Sequence, residues 1–79
     1  MNDEIREKVM QVATELCPHI DFETEDSLID DGILESFDVI QIVTSLMEEF
    51  DIVIDADDIE PENLNSIDRM CALVASKLS

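Results

Sequence analysis

Positive charge is scarce in this chain: four Lys or Arg residues stand against 21 Asp or Glu, giving a formal net charge of −17. The four bases, Arg6, Lys8, Arg69 and Lys77, all lie near the ends, and none occurs from Val9 to Asp68. Such a chain repels nucleic acid and anionic membrane surfaces, since both require a positive footprint. The partners it favours are proteins with basic surfaces, reached by electrostatic steering. Solubility accounts for part of the acid excess, but not for a middle cleared of bases. Trp and Tyr are absent, which argues for an aliphatic core. One glycine among 79 residues, with 46% hydrophobic residues, points to a folded chain. Long alternating β-branched runs are missing too, which argues for helices over sheet.

Only two cysteines occur, Cys17 and Cys71, with neither a CxxC nor a metal-ligand spacing. No apolar run is long enough for a signal-peptide core or a membrane span. A cytoplasmic protein with reduced thiols, and a monomer, is the expectation. At this length the chain is expected to be one domain over residues 1–79, with a core only marginally stabilising.

Periodicity predicts three main helices and one short one, an all-α four-helix bundle. Ile5, Val9, Val12 and Leu16 recur at helical spacing from about Asp3 to Leu16, and Pro18 ends the run. A long acidic loop follows from Cys17 to Glu35, carrying Leu28, Ile29, Ile33 and Leu34. Those four aliphatic residues favour a loop packed onto the bundle, and loops of this length are commonly functional. The second helix is predicted over Phe37 to Phe50. At about 100° per residue, Val39, Val43, Leu46 and Phe50 form its buried stripe, with Ile42 at the border. Ile52-Val53-Ile54 reads as a connector, because an isolated strand has nothing to pair with. Pro61 to Leu64 suits a helical turn with proline first. A last helix, capped by Asn65 or Ser66, runs to about Leu78, with Ile67, Met70, Cys71, Val74 and Leu78 inward. Cys71 is therefore a core residue, Cys17 an incidental one, and His19 a surface residue.

Ser36 is the residue of most chemical interest. It stands where the acidic loop turns into the second helix, and two readings are open for it. A serine there ordinarily caps the helix through its side-chain oxygen. An exposed hydroxyl at a positive helix end is also a good attachment point for a phosphate group. The helix behind it places Phe37, Ile40 and Met47 outside the buried stripe, with Glu35, Asp38, Glu48 and Glu49 around them. An apolar cluster inside an acidic rim reads as a docking patch. Other chemistry finds less support. A calcium loop starting at Asp55 has Ile59 at a ligand position and Glu60 where glycine belongs, and one starting at Asp26 fails similarly. No metal site is expected. The acids lie on loops and exposed faces, one histidine cannot build a triad, and no Gly-rich phosphate loop occurs. Catalysis by this chain is not expected.

Ser36-Phe37-Asp38-Val39-Ile40-Gln41-Ile42-Val43, continuing through Leu46-Met47-Glu48-Glu49-Phe50-Asp51, resembles the serine-led helix of acyl carrier proteins. Ile54 and Ser66-Ile67 fit the same pattern, and the likeness extends over nearly the whole chain. Asp26-Ser27-Leu28 spells that family's tripeptide literally, but no amphipathic helix follows it. Ser36, in Glu35-Ser36-Phe37, does lead one. The resemblance implies covalent 4′-phosphopantetheine on Ser36, joined from coenzyme A by a phosphopantetheinyl transferase with Mg²⁺. The arm would carry acyl or aminoacyl groups as thioesters between a loading ligase and downstream acyl-processing enzymes. Gly32-Ile33-Leu34-Glu35-Ser36 is similar to D-alanyl carriers and to carriers of polyketide or nonribosomal peptide pathways, whereas Glu35 and Phe37 depart from the Asp and Leu usual around the serine in carriers of fatty acid biosynthesis, which suggests a specialised stand-alone carrier. A small acidic protein-interaction module without a prosthetic group is the alternative.

Overall fold

The computed structural model describes residues 3–78, with side chains from Glu4 onward. Four α-helices follow one another: α1 (Asp3–Leu16), α2 (Ser36–Phe50), α3 (Pro61–Leu64) and α4 (Ile67–Leu78), with a 3₁₀ turn at Ala56–Asp58. No strand occurs among the described residues. No helix there is long and apolar enough to cross a membrane. Helix α1 packs on both α2 and α4, while the one-turn α3 leans chiefly on α4.

The apolar spacing becomes a single aliphatic core. Val9, Val12 and Ala13 of α1 meet Ile42, Val43 and Leu46 of α2 and Ile67, Met70, Leu73 and Val74 of α4. Leu28 and Leu34 reach in from the long loop, and Leu64 from α3. Removing such side chains from water, at roughly 25 cal/mol per Å² of apolar area, is the main force holding a domain this small. The α2 stripe is rotated slightly from its predicted position. Ile42, placed at the border, is fully buried, whereas Val39 and Phe50 are only half-buried. Both occupy the end turns of α2.

Loop chemistry sets the helix ends. Asp51 takes a left-handed conformation (φ 55°) and terminates α2, and the Ile52 N–H donates to the Met47 carbonyl at 3.1 Å. Aspartate tolerates this region better than most residues. Ile54 is buried, Ile52 half-buried and Val53 exposed, so this segment is a connector as expected. Ser66, not Asn65, caps α4: its Oγ accepts the Arg69 N–H at 3.1 Å. Cys71 is buried as expected, and so, against expectation, is Cys17 (1% exposed). Its N–H still donates to the Ala13 carbonyl at 2.8 Å. That extra bond curls the end of α1 over the core and carries the thiol inward.

All four bases are spent on internal contacts. Arg6 pairs with Asp68, Lys8 with Glu49 at 3.3 Å, and Lys77 with Asp58 at 2.8 Å. The Arg69 guanidinium donates to the Glu62 carbonyl at 2.9 Å. A hydrogen bond from Lys77, with one from the Asp55 backbone N–H, holds the Asp58 carboxyl below its ordinary 3.8. The same pairing raises the Lys77 ammonium above 10.5. A depressed carboxyl stabilises the fold above its unfolded pKa, and the contribution disappears as pH falls through the folded value. Lys77→Met should therefore lower the melting temperature near neutral pH. In melts taken below pH 3.8 its deficit against the parent should shrink. A deficit constant through acid would assign the effect to lost packing of the lysine stem.

Candidate functional site

The segment leading to Ser36 is a series of tight turns. The Asp31 N–H donates to the Ser27 carbonyl at 2.8 Å and the Gly32 N–H to the Ile29 carbonyl at 3.0 Å. Gly32 sits at φ 71°, a left-handed position that costs glycine little. The Leu34 N–H then donates to the Leu28 carbonyl at 2.9 Å, closing the loop on itself two residues before Ser36.

A buried asparagine ties this loop to the far side of the molecule. Asn65, 8% exposed at the α3–α4 junction, accepts the Ile29 and Asp30 N–H groups on its Oδ1 at 2.9 and 3.1 Å. Its Nδ2 donates to the Asp30 carboxylate at 3.0 Å, and its carbonyl accepts the Leu28 N–H at 2.8 Å. From its place in the sequence Asn65 is expected only as a helix cap. Its position between two buried apolar residues, Leu64 and Ile67, was the available signal that its amide would need partners inside.

Ser36 is not the cap of α2. Glu35 occupies the cap position with extended backbone (φ −88°, ψ 167°), and Ser36 is the first helical residue. The Glu35 N–H donates to Asp38 Oδ2 at 3.3 Å, the reciprocal half of a capping box built on Glu35, so the helix start is closed without the serine. Asp38 also lies close enough to the Cys17 thiol, at the end of α1, to act on its acidity. Burial first, then the charge and hydrogen bond of Asp38, push that thiol above its ordinary 9.0. Burial likewise raises Cys71. These thiols are poor nucleophiles at neutral pH. The Ser36 side chain is exposed, with no hydrogen bond of its hydroxyl among the described residues. Ser27, the serine of the literal tripeptide, is half-buried within the turns.

Ser36 also stands on the wall of a cavity of about 290 Å³. Ile29 and Leu34 of the loop and Val39 and Ile40 of α2 form one side. Ile59, Glu60, Pro61 and Leu64 form the other. Apart from Ser36 and Glu60 the lining is apolar, so the space can take an aliphatic group. No pattern of residues signals this hollow, which forms because α3 packs on α4 and leaves its α2 side open.

The outer face of α2 is mixed. Phe37 and Ile40 are 69% and 53% exposed, next to Ser36 on the surface. Met47 departs from that patch: it is half-buried and packs against the core. Glu35, Glu48 and Glu49 are exposed, and Asp38 is partly covered. Glu49 is engaged by Lys8, leaving Glu35 and Glu48 as the freer charges. His19 is exposed, as expected. No group of three or more His, Cys, Asp and Glu residues arranged to hold a metal ion occurs among the described residues. No family model, curated protein or solved structure matches the chain.

The division of labour between Asp38 and Ser36 can be measured. Asp38→Ala should cost about 1 kcal/mol by denaturant unfolding, the usual loss for a cap interaction. Ser36→Ala should stay within about 0.5 kcal/mol of the parent. Equal losses would return the capping role to the serine.

Proposed function

We propose that this protein is a carrier, covalently modified on Ser36 and exchanged among enzymes that work on its cargo. The observation that carries the reading is the position of Ser36. Its hydroxyl is exposed and uncommitted on the first residue of α2, at the edge of an aliphatic cavity. A serine doing only structural work would have been the cap, and here Glu35 and Asp38 fill that role.

The residues present fit 4′-phosphopantetheine. The N-terminus of α2 offers backbone N–H groups and a positive dipole end to a phosphodiester at residue 36. Asp38, the acid one turn away, has its carboxylate drawn to the Glu35 N–H. In the attachment step, Ser36 Oγ forms a bond to phosphorus and loses its proton to the transferase. The pyrophosphate bond of coenzyme A breaks and adenosine 3′,5′-bisphosphate departs. When bound, the group supplies a terminal thiol that holds an acyl or aminoacyl cargo as a thioester. Tethering then makes each later encounter local, which raises effective concentration without new contacts.

The chain's own contribution is recognition and release. Phe37 and Ile40 give a small apolar contact, while Glu35, Asp38, Glu48 and Glu49 steer basic partner surfaces toward it. A small contact with long-range attraction gives fast association and ready dissociation, which suits a protein that must leave every enzyme it visits. The proposed partners are a phosphopantetheinyl transferase, a loading ligase and acyl-processing enzymes.

Intact mass after incubation with coenzyme A, Mg²⁺ and a promiscuous phosphopantetheinyl transferase tests the reading. One phosphopantetheine should add to the parent and to Ser27→Ala, and none to Ser36→Ala. Transfer that follows Ser27 refutes the assignment. A folded parent that takes no arm leaves an acidic interaction module using the same α2 face.

Charge reversal at Glu35 or Glu48 should slow association with the transferase while leaving helix content by circular dichroism unchanged. The deficit should fade as salt rises, since exposed charges are screened over about 8 Å at physiological ionic strength. Rates indifferent to both salt and these substitutions would remove α2 acidity from recognition.

A further inference from the structure

We propose that Asn65, some 29 positions after Ser36 in the sequence, is a positioning residue for modification of that serine. The inference rests on the carrier reading and adds a residue far from the α2 docking face. Its basis is an unbroken path of short contacts. The Asn65 side chain accepts the Ile29 and Asp30 N–H groups at 2.9 and 3.1 Å and donates to the Asp30 carboxylate at 3.0 Å. Its carbonyl holds the Leu28 N–H at 2.8 Å. The Leu28 carbonyl in turn accepts the Leu34 N–H at 2.9 Å, one residue before the Glu35 cap of α2. Asn65 thus fixes where the strand of loop entering Ser36 comes from.

The same residue pins the base of the cavity. Ile29, on one wall, donates its N–H to Asn65, and Leu64, on the other, is its covalent neighbour. Asn65 is the sole polar residue among the buried ones described. An amide there is satisfied only because the loop supplies two donors and an acceptor at once. No apolar residue could make these bonds, and aspartate could make only the accepting ones while facing the Asp30 carboxylate.

That asymmetry supplies the test. Asn65→Asp removes the donor and opposes two carboxylates. Adding Asp30→Asn restores a donor from the other side, so the double variant re-forms the pair with its polarity reversed. The α2 face is held by α1 and the core and is untouched in all three proteins. With a phosphopantetheinyl transferase and coenzyme A, Asn65→Asp should lower kcat by about tenfold through misplacement of the reacting hydroxyl, with KM within about twofold of the parent. The double variant should recover most of that loss. Amide hydrogen exchange should quicken at Leu28, Ile29, Asp30 and Leu34 in Asn65→Asp and slow again in the double variant. Should Asn65→Asp fail to fold, Asp30→Ala, which removes only the exposed acceptor, should show the same split with a smaller fall in kcat.

Parental kcat in Asn65→Asp despite quickened exchange overturns the positioning role and leaves the carrier reading intact. So does a fall in kcat that the double variant does not recover once its exchange has returned to normal. A wild-type protein that never accepts the arm refutes the carrier reading, and this inference with it.

Discussion

The clasp between Asn65 and the backbone of residues 28–30 is the constraint on which the course of the long loop into α2 depends. Hydrophobic burial brings α1, α2 and α4 together, but burial is non-directional and cannot say how a nineteen-residue acidic loop should lie. Directional hydrogen bonds inside a low-dielectric interior can, and they are costly to break once water is excluded. Asn65 supplies them at the one place where the loop passes the α3–α4 junction. Through the Leu28 carbonyl, which accepts the Leu34 N–H, the clasp is joined to the turns that lead into α2.

Charge is arranged with comparable economy. The few bases stitch the terminal helices to the rest: Arg6 to α4, Lys8 to the end of α2, and Lys77 to the 3₁₀ turn. None is left over to neutralise the acids around Ser36. Surface pairs of this kind contribute little to stability individually. Their larger effect is on the field: Lys8 offsets Glu49 at one end of α2, while Glu35, Asp38 and Glu48 have no base paired to them and leave that face negative.

Much of the architecture was legible because it is written in short-range patterns. The spacing of Ile5, Val9 and Val12, the proline at Pro61 and the serine at Ser66 each report on their own helix, and each does what the pattern implies. Ser36 stood out for the same reason, at a visible change of pattern. Features that join distant segments were not legible. Cys17 looked incidental because nothing nearby in sequence says that the end of α1 curls over the core toward Asp38. Asn65 looked like a cap because its partners lie 35 and 36 residues away. The capping role went to the wrong residue because glutamate is not among the favoured caps. Here Asp38, three residues on, makes it serviceable.

The two walls of the cavity beside Ser36 differ in kind. The α2 wall belongs to a fifteen-residue helix rooted in the core, whereas the opposite wall is one helical turn whose own bonds are local, such as Asn63 N–H to Glu60 and Asn65 N–H to Pro61. Elements with few buried contacts occupy the low end of a protein's range of local opening free energies. The hollow is therefore elastic on one side. Its capacity is a property of a distribution, widened by whatever enters and narrowed by whatever presses from outside. Any widening falls on that single turn, while the fifteen-residue helix that carries Ser36 keeps its shape.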